Sequence, residues 1–302
     1  MLPFNNPVTE IIRQRYSCRA YSKTPIAPEQ AWQLEVFAES ITNGPLGTSL
    51  RFELVAATEH DRNALRGLGT YGLIKDPVGF IIGAAGEGGK NLEDFGYGME
   101  AILLCATSIG LGTCWLGGNF TKSSFSKKIR ATREEIVPAV ASIGYAAENS
   151  RARDRLRQMA RSDTRLPWEA LFFRSSSRST LRSTQSESAA APLDEASAGA
   201  YAAPLAMLRR APSSRNTQPW RVIQDGACYH FYLQRTRGYG PGSLASILLG
   251  IADLQRTDIG IAMCHFELTA REIGLEGTWE VHEPAIRKPG DTIEYVVTWI
   301  GK

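Results

Sequence analysis

Residues 211–220, Ala-Pro-Ser-Ser-Arg-Asn-Thr-Gln-Pro-Trp, concentrate short polar side chains between a helix-like apolar stretch and a strand-like stretch. Ser213, Ser214 and Asn216 can each satisfy a free backbone group, as such residues do in caps and turns. The same hydroxyl and amide groups can bind the polar edges of a ligand. A plain turn from helix to strand needs only one Gly, Asn or Pro. The run therefore favours a ligand-binding loop.

A second polar pattern lies near the N-terminus, where Arg15, Ser17 and Arg19 occupy alternate positions. In an extended backbone, alternate side chains point to the same side. Two guanidinium groups and a hydroxyl suit a phosphate, which carries nearly two negative charges and several acceptor oxygens. A solvated basic edge strand explains the pattern equally well. More arginines follow over residues 151–165, and of these we expect Arg165 to be fixed against the core by the apolar stretch after it.

Composition restricts the kind of protein and its partners. The 302 residues carry a formal net charge of +3, too small to indicate nucleic acid or a membrane as partner. Five cysteines without a CxxC pair and four scattered histidines favour free thiols in a reducing compartment and no metal site. The chain shows no signal-peptide pattern and no apolar run near the roughly 20 residues of a membrane span. We therefore predict a soluble, cytoplasmic protein.

The chain contains an internal repeat. Residues 94–115 align without a gap on residues 258–279 with nine of 22 positions identical, where background frequencies give roughly one or two. Each copy predicts a largely apolar helix ending at Gly110 or Gly274, a natural C-cap. Two unrelated buried helices are the alternative, but the flanking elements favour duplication.

Each half of the chain is predicted to run helix, strand, central helix, strand, which makes an α+β unit. The predicted flanking helices cover residues 28–40 and 203–210, and the predicted strands cover 50–57, 139–145, 220–224 and 293–300. Half one then spans residues 1–173 and half two spans 192–302. Residues 174–191, rich in Ser, Arg and Ala, are predicted to form a flexible linker or loop.

Four segments, in the same order as in the family, give the chain a resemblance to the FMN-dependent nitroreductase superfamily. They are RYSCRAY (15–21), GLGTCWLGG (110–118), TRLPWEALFF (164–173) and APSSRNTQPW (211–220). The resemblance spans nearly the whole chain and is closest to a single-chain branch with two nitroreductase-like halves. It implies an α+β, nitroreductase-like fold, duplicated into a pseudo-dimer with two central helices and antiparallel sheets.

In that family FMN lies at the interface of a two-fold dimer. The resemblance implies that half one supplies the phosphate clamp, the glycine-rich turn and a late arginine, and that half two supplies the polar loop. The implied FMN-binding residues are Arg15, Ser17, Arg19, Trp115, Leu116, Gly117, Gly118, Arg165, Pro212, Ser213, Ser214 and Asn216. Residues 41–50, the match of the polar loop in half one, lack its pattern. We therefore expect a monomer that acts as its own dimer and has one flavin site.

The implied reaction is a ping-pong hydride transfer from NAD(P)H through FMN to a nitroaromatic, a quinone or a similar electrophile. No side chain is predicted to be catalytic, because the cofactor carries this chemistry. Two alternatives remain open. One is other flavin chemistry on the same fold, such as heterocycle oxidation or dehalogenation, with residues 234–246 as a candidate lid bearing Arg235 and Arg237. The other is a non-catalytic flavin-binding sensor or scaffold.

Overall fold

Each half of the chain contributes one set of four antiparallel strands and one long central helix. The computed structural model describes residues 4, 6–58, 61, 63–118, 120–150, 154–159, 161–175, 190–236, 251–286, 288, 290 and 292–302. The helices are α1 Val8–Gln14, α2 Pro28–Ser40, α3 Asn91–Ser108, α4 Lys122–Lys128, α5 Arg155–Met159, α6 Ala202–Arg209 and α7 Leu254–Glu272. The strands are β1 Leu50–Ala56, β2 Gly79–Ala85, β3 Gly112–Leu116, β4 Val140–Gly144, β5 Phe172–Arg174, β6 Ala191–Pro192, β7 Trp220–Asp225, β8 Cys228–Gln234, β9 Gly277–Glu280 and β10 Ile293–Gly301.

The two sheets repeat one topology. The first has the strand order β1-β2-β4-β3, and the second contains the equivalent order β7-β8-β10-β9. The neighbours within these four-strand sets are antiparallel. The second sheet is wider, because β5 adds to β7 in parallel and β6 adds to β5. The end of half one therefore forms part of the sheet of half two.

The two central helices, α3 and α7, cross at a pair of glycines that the repeat places in equivalent positions. A Cβ atom on Gly96 would overlap the carbonyl of Thr257, and one on Gly260 would overlap the carbonyl of Glu93. Only glycine allows the two backbones to approach this closely. The shared glycine is therefore a requirement of the helix crossing.

Apolar side chains from both halves close the contact around that crossing. Val8 and Ile11 of α1, Leu104 of α3, Met207 of α6 and Leu268 of α7 belong to one buried cluster. Burial of such side chains contributes roughly 1.5–3 kcal/mol each. The two halves are thus held by a continuous core, and none of the described helices is long and apolar enough to cross a membrane.

The predicted elements agree with the structure to within about one residue at either end. The helix predicted over 28–40 has the observed bounds, and the positive φ angles of Gly110 and Gly274 (84° and 79°) confirm both predicted helix ends. The predicted linker is observed only at its ends, where Arg174 lies in β5 and Ala191 lies in β6. Residues 176–189 lie outside the described part of the chain, and the division into halves remains a prediction.

Candidate functional site

Two adjoining cavities lie where the halves meet, with volumes of about 140 Å³ and about 380 Å³. All twelve predicted site residues line one or both. Those that line only the smaller cavity are Arg15, Arg165 and Asn216, and those that line only the larger are Trp115, Leu116, Gly117, Gly118 and Ser214. Ser17, Arg19, Pro212 and Ser213 line both. The fold therefore brings the separate sequence motifs to one place.

The segment that carries Arg15, Ser17 and Arg19 runs along the outer edge of β3. Cys18 N donates a hydrogen bond to Thr113 O (2.8 Å), and its side chain is buried in the core. The extended backbone turns the three alternate side chains toward the cavities instead. This placement agrees with the alternation predicted from the sequence.

Glu100, a fully buried residue of α3, connects the two cavities. Its Oε1 atom lies 3.5 Å from Arg15 Nε, and its Oε2 atom accepts a hydrogen bond from Trp115 Nε1 (2.6 Å). His265 of α7 lies with its Nε2 atom 2.9 Å from Glu100 Oε1 and its Nδ1 atom 3.0 Å from the carbonyl oxygen of Met207. One carboxylate therefore holds an arginine of the smaller cavity and a tryptophan of the larger one. Both of these partners belong to half one, and His265 is a third partner from half two.

The electrostatic environment keeps Glu100 ionised. Burial alone raises the pKa of a carboxyl group, but the charge of Arg15 and the hydrogen bonds from His265 and Trp115 outweigh it, so the pKa of Glu100 is lowered. The sequence analysis did not select Glu100 or His265. The available signal was their position, since each is a polar residue within a largely apolar helix.

Arg165 lies beside Arg15 in the smaller cavity with its orientation already fixed. Its Nη1 atom donates to the carbonyls of Ser162 and Thr164 (both 2.8 Å), and Nη2 donates to the carbonyl of Arg210 (2.9 Å). Burial, followed by the charges of Arg15 and Arg210, lowers the pKa of Arg165 to about 10. The guanidinium is therefore still charged at neutral pH.

Two buried nitrogens at this end of the site have no hydrogen-bond partner in the described structure: Arg15 Nη1 and Arg165 Nε. A buried donor without an acceptor costs about 1–3 kcal/mol, and more when it is charged. An anion in the cavity would supply the missing acceptors. The chemistry of these donors therefore fits a phosphate group.

The polar loop of half two is shaped by contacts with both halves. Asn216 Nδ2 donates to the carbonyls of Arg161 (2.8 Å) and Thr164 (3.1 Å), which fixes the segment before Arg165. Ser213 Oγ accepts from the backbone N–H of Gln218 (2.9 Å). The amide of Asn216 is thus used within the protein, and direct contact of Asn216 with a ligand remains a prediction.

Asp258, near the start of α7, holds the backbone of the same loop and lines the larger cavity. Its two carboxyl oxygens lie 3.0 and 3.1 Å from the backbone nitrogen of Ser214, which donates to them. Burial raises the pKa of Asp258 well above its ordinary value. Sequence reasoning did not assign this residue a role, although Asp94 and Asp258 are identical in the repeat.

The larger cavity has a mainly apolar wall, with Leu116, Ile251 and Leu254 among its lining residues. A Cβ atom on Gly117 would lie 2.5 Å from Leu254 Cδ1, so the backbone of the turn packs directly against the side chain of Leu254 in α7. Thr257 is buried, and its hydroxyl has no partner among the described residues. The cavity volume falls within the roughly 300–1,000 Å³ typical of small-molecule and cofactor sites.

Arg235, one of the two arginines considered for a lid, is engaged within the protein. It donates to Asp253 (2.5 Å) and to both carboxylate oxygens of Glu294 (3.0 Å each). Its charge is therefore compensated. Arg237 and the remainder of the candidate lid, residues 237–246, lie outside the described residues.

Comparison with known proteins identifies the family. The sequence model of the family described as "Putative TM nitroreductase" matches residues 7–270, and the chain belongs to this family. A putative nitroreductase from Thermotoga maritima has the same fold; it is 18% identical, with a TM-score of 0.57 over 98% of this chain and 94% of that one.

Other solved structures match about half of the chain. A nitroreductase family protein from Clostridium difficile is 18% identical over 54% of this chain and 94% of its own, with a TM-score of 0.40. A putative nitroreductase from Exiguobacterium sibiricum, solved in complex with FMN, is 15% identical over 49% of this chain and 92% of its own, with a TM-score of 0.39. No curated protein matches the chain.

Proposed function

We propose that the protein is an FMN-dependent oxidoreductase that transfers reducing equivalents from NAD(P)H to a small electrophilic acceptor, such as a nitroaromatic compound or a quinone, in a ping-pong cycle. The observation that carries this proposal is the two-part cavity. Its smaller end has charged donors without acceptors, and its larger end has an apolar wall and a glycine turn. Membership of the nitroreductase family supports the same assignment.

The residues present fit FMN at both ends. Arg15, Ser17, Arg19 and Arg165 would hold the phosphate, and the backbone of Gly117 and Gly118 would lie close to the flat ring system. When bound, FMN supplies hydride chemistry that amino-acid side chains lack. Half two would complete the site with Pro212 and the serines of the polar loop.

The protein's own residues orient and desolvate the ligand. Glu100 fixes Arg15 and Trp115 relative to each other, and Asp258 fixes the backbone of Ser214. Leu116, Ile251 and Leu254 exclude water from the larger cavity, which strengthens electrostatic interactions there. No side chain is assigned a proton-transfer role.

One site per chain follows from the differences between the halves. The repeat places Val281 and His282 where half one has Gly117 and Gly118. The loop over residues 41–50 also lacks the paired serines of half two. We therefore propose a cytoplasmic monomer with a single flavin site at its internal interface.

The first experiment is an absorption spectrum of the purified protein, with the flavin-to-chain ratio, before and after anaerobic addition of NADH or NADPH. One FMN per chain that bleaches supports the proposal. Bound flavin that neither nicotinamide reduces would favour the other flavin chemistries or a sensor. A protein that takes up no added FMN would contradict the site.

A matched pair of variants tests the phosphate end. Arg165 and Arg221 are both partly buried, both donate to backbone carbonyls, and burial lowers the pKa of each to about 10. Of the two, Arg165 lines the smaller cavity. Arg165→Gln should weaken FMN binding about tenfold or more, whereas Arg221→Gln should leave it within about twofold. Equal losses would contradict the assignment.

A further inference from the structure

The smaller cavity has more positive charge than one phosphate group needs. Seven arginines line it, and a phosphate monoester carries at most about two negative charges. Three of the arginines pair with carboxylates, as Arg15–Glu100, Arg19–Asp154 and Arg157–Asp163. No described carboxylate forms an ion pair with Arg13, Arg165 or Arg215.

These three arginines occupy two depths. Arg165 lies at the base beside Arg15, whose side chain is only 5% exposed, and the two present the buried nitrogens that lack partners. Arg13 and Arg215 line the same cavity but are exposed, which places them at its solvent side, and Arg215 also lines the larger cavity. A phosphate bound at the base leaves these outer two arginines uncompensated.

The outer pair is placed by elements that belong to the site. Arg13 lies in the last turn of α1, two residues before Arg15. Arg215 has a left-handed backbone (φ 51°), as does Asn216 (φ 58°), whose amide holds the segment before Arg165. For a residue other than glycine this conformation is uncommon and costs about 1 kcal/mol or more. The strained loop thus brings Arg215 of half two to a cavity that Arg13 of half one also lines.

We propose that Arg13 and Arg215 form a second phosphoryl-binding subsite on the solvent side of the smaller cavity. This inference rests on the proposed function, in which the base of the cavity takes the first phosphate. The subsite then takes a phosphoryl group next to the first one. Two sources share that chemistry: the second phosphoryl group of a flavin dinucleotide bound in place of FMN, and the additional phosphate that distinguishes NADPH from NADH, bound beside FMN.

The test compares Arg13→Gln/Arg215→Gln with the control Arg66→Gln/Arg133→Gln, which removes two exposed arginines that do not line either cavity. The Kd values of FMN and FAD and the KM values of NADH and NADPH are measured for both. In the site variant, either the Kd of FAD or the KM of NADPH should rise about tenfold. The Kd of FMN and the KM of NADH should change less than threefold.

The affected ligand identifies the source: FAD indicates the flavin dinucleotide, and NADPH indicates the nicotinamide dinucleotide. Equal losses for FMN and FAD would overturn the inference, because the outer arginines would then serve the first phosphate. Unchanged Kd and KM values for all four ligands, or the same changes in the control variant, would also overturn it.

Inorganic anions separate this inference from the proposed function. In the flavin-free protein, pyrophosphate should bind at least about tenfold more tightly than phosphate by calorimetry, and the site variant should lose that preference. If pyrophosphate shows this behaviour and FMN does not bind, the second subsite stands and the flavin function fails. If FMN binds and pyrophosphate shows no preference, the function stands and the second subsite is wrong.

Discussion

The two halves of this chain share a fold and differ in the side chains that the fold presents. In half one, Asp94 accepts hydrogen bonds from the backbone N–H groups of Leu46 (2.7 Å) and Thr48 (2.8 Å). In half two, the equivalent Asp258 accepts from Ser214. The same carboxylate therefore shapes the same loop twice, and the copy in half two is the one that lines the two cavities.

The tryptophans after the central helices differ in a similar way. Trp115 and Trp279 each donate a hydrogen bond of 2.6 Å to a glutamate of the central helix that precedes them in the chain. Glu100 is enclosed with Arg15 and His265, whereas Glu267 pairs with Arg271, whose side chain is 46% exposed. The glutamate that binds the tryptophan thus also binds a buried arginine of the candidate site in half one, and a partly exposed arginine in half two.

The largest expected effect tests the contrast between Glu100 and Glu267. Glu100→Ala leaves the buried guanidinium of Arg15 without its carboxylate and removes the acceptor of Trp115 Nε1, so it should lower the free energy of unfolding by about 3–5 kcal/mol. Glu267→Ala removes a buried carboxylate whose charged partner, Arg271, is partly solvated, and it should cost less, about 1–2 kcal/mol. Denaturant unfolding of both variants measures the difference. Similar losses would show that the two glutamates have equivalent roles.

The next effect concerns the feature that both halves share. Gly260→Ala places a methyl group against the carbonyl of Glu93, so the helices must separate, and the expected cost is about 1–3 kcal/mol. The control is Gly89→Ala, because a Cβ atom at this exposed position meets nothing within 4 Å. Thermal unfolding of the pair checks this prediction. Equal stability of the two variants would rule out a tight backbone contact at the crossing.

The smallest effect is a pH dependence. The pKa of Asp258 is raised by burial, so the folded protein keeps a proton that the unfolded chain releases above about pH 3.9. The stabilisation is therefore complete below that pH and is lost as the pH rises toward the raised pKa, by at most about 1.4 kcal/mol per pH unit.

Asp258→Asn removes this titration. Its free energy of unfolding should fall less steeply than that of the wild type between pH 5 and pH 7 in urea melts. Asp94→Asn is the comparison, because the pKa of Asp94 is also raised by burial, but hydrogen bonds from Leu46 and Thr48 oppose the shift. A variant slope identical to that of the wild type would contradict the assignment for Asp258.

Local patterns in the sequence predicted much of the fold and the position of the site. The helix over 28–40, the glycine helix ends and the alternation of Arg15, Ser17 and Arg19 each depend on neighbouring residues, and the structure agrees with them. That these residues bind FMN remains a prediction.

The features that sequence reasoning missed depend on contacts distant in the chain. The pairing of Glu100 with His265 joins residues 165 positions apart, and no local period indicates it. The role of Asp258 in holding Ser214 was present only as an identity within the repeat. Arg215 belonged to a recognised motif, but its orientation follows from a left-handed backbone that no neighbouring residue type requires.

The parallel pairing of β5 with β7 has a consequence for how the chain can be divided. β5 comes from the end of half one, yet it covers the β7 edge of the sheet in half two. A fragment containing half two alone would expose the backbone donors and acceptors of β7, and such an unpaired edge is a template for aggregation. Half one thus protects this edge of its duplicate, and the order of synthesis makes the protecting strand available before the edge that it covers.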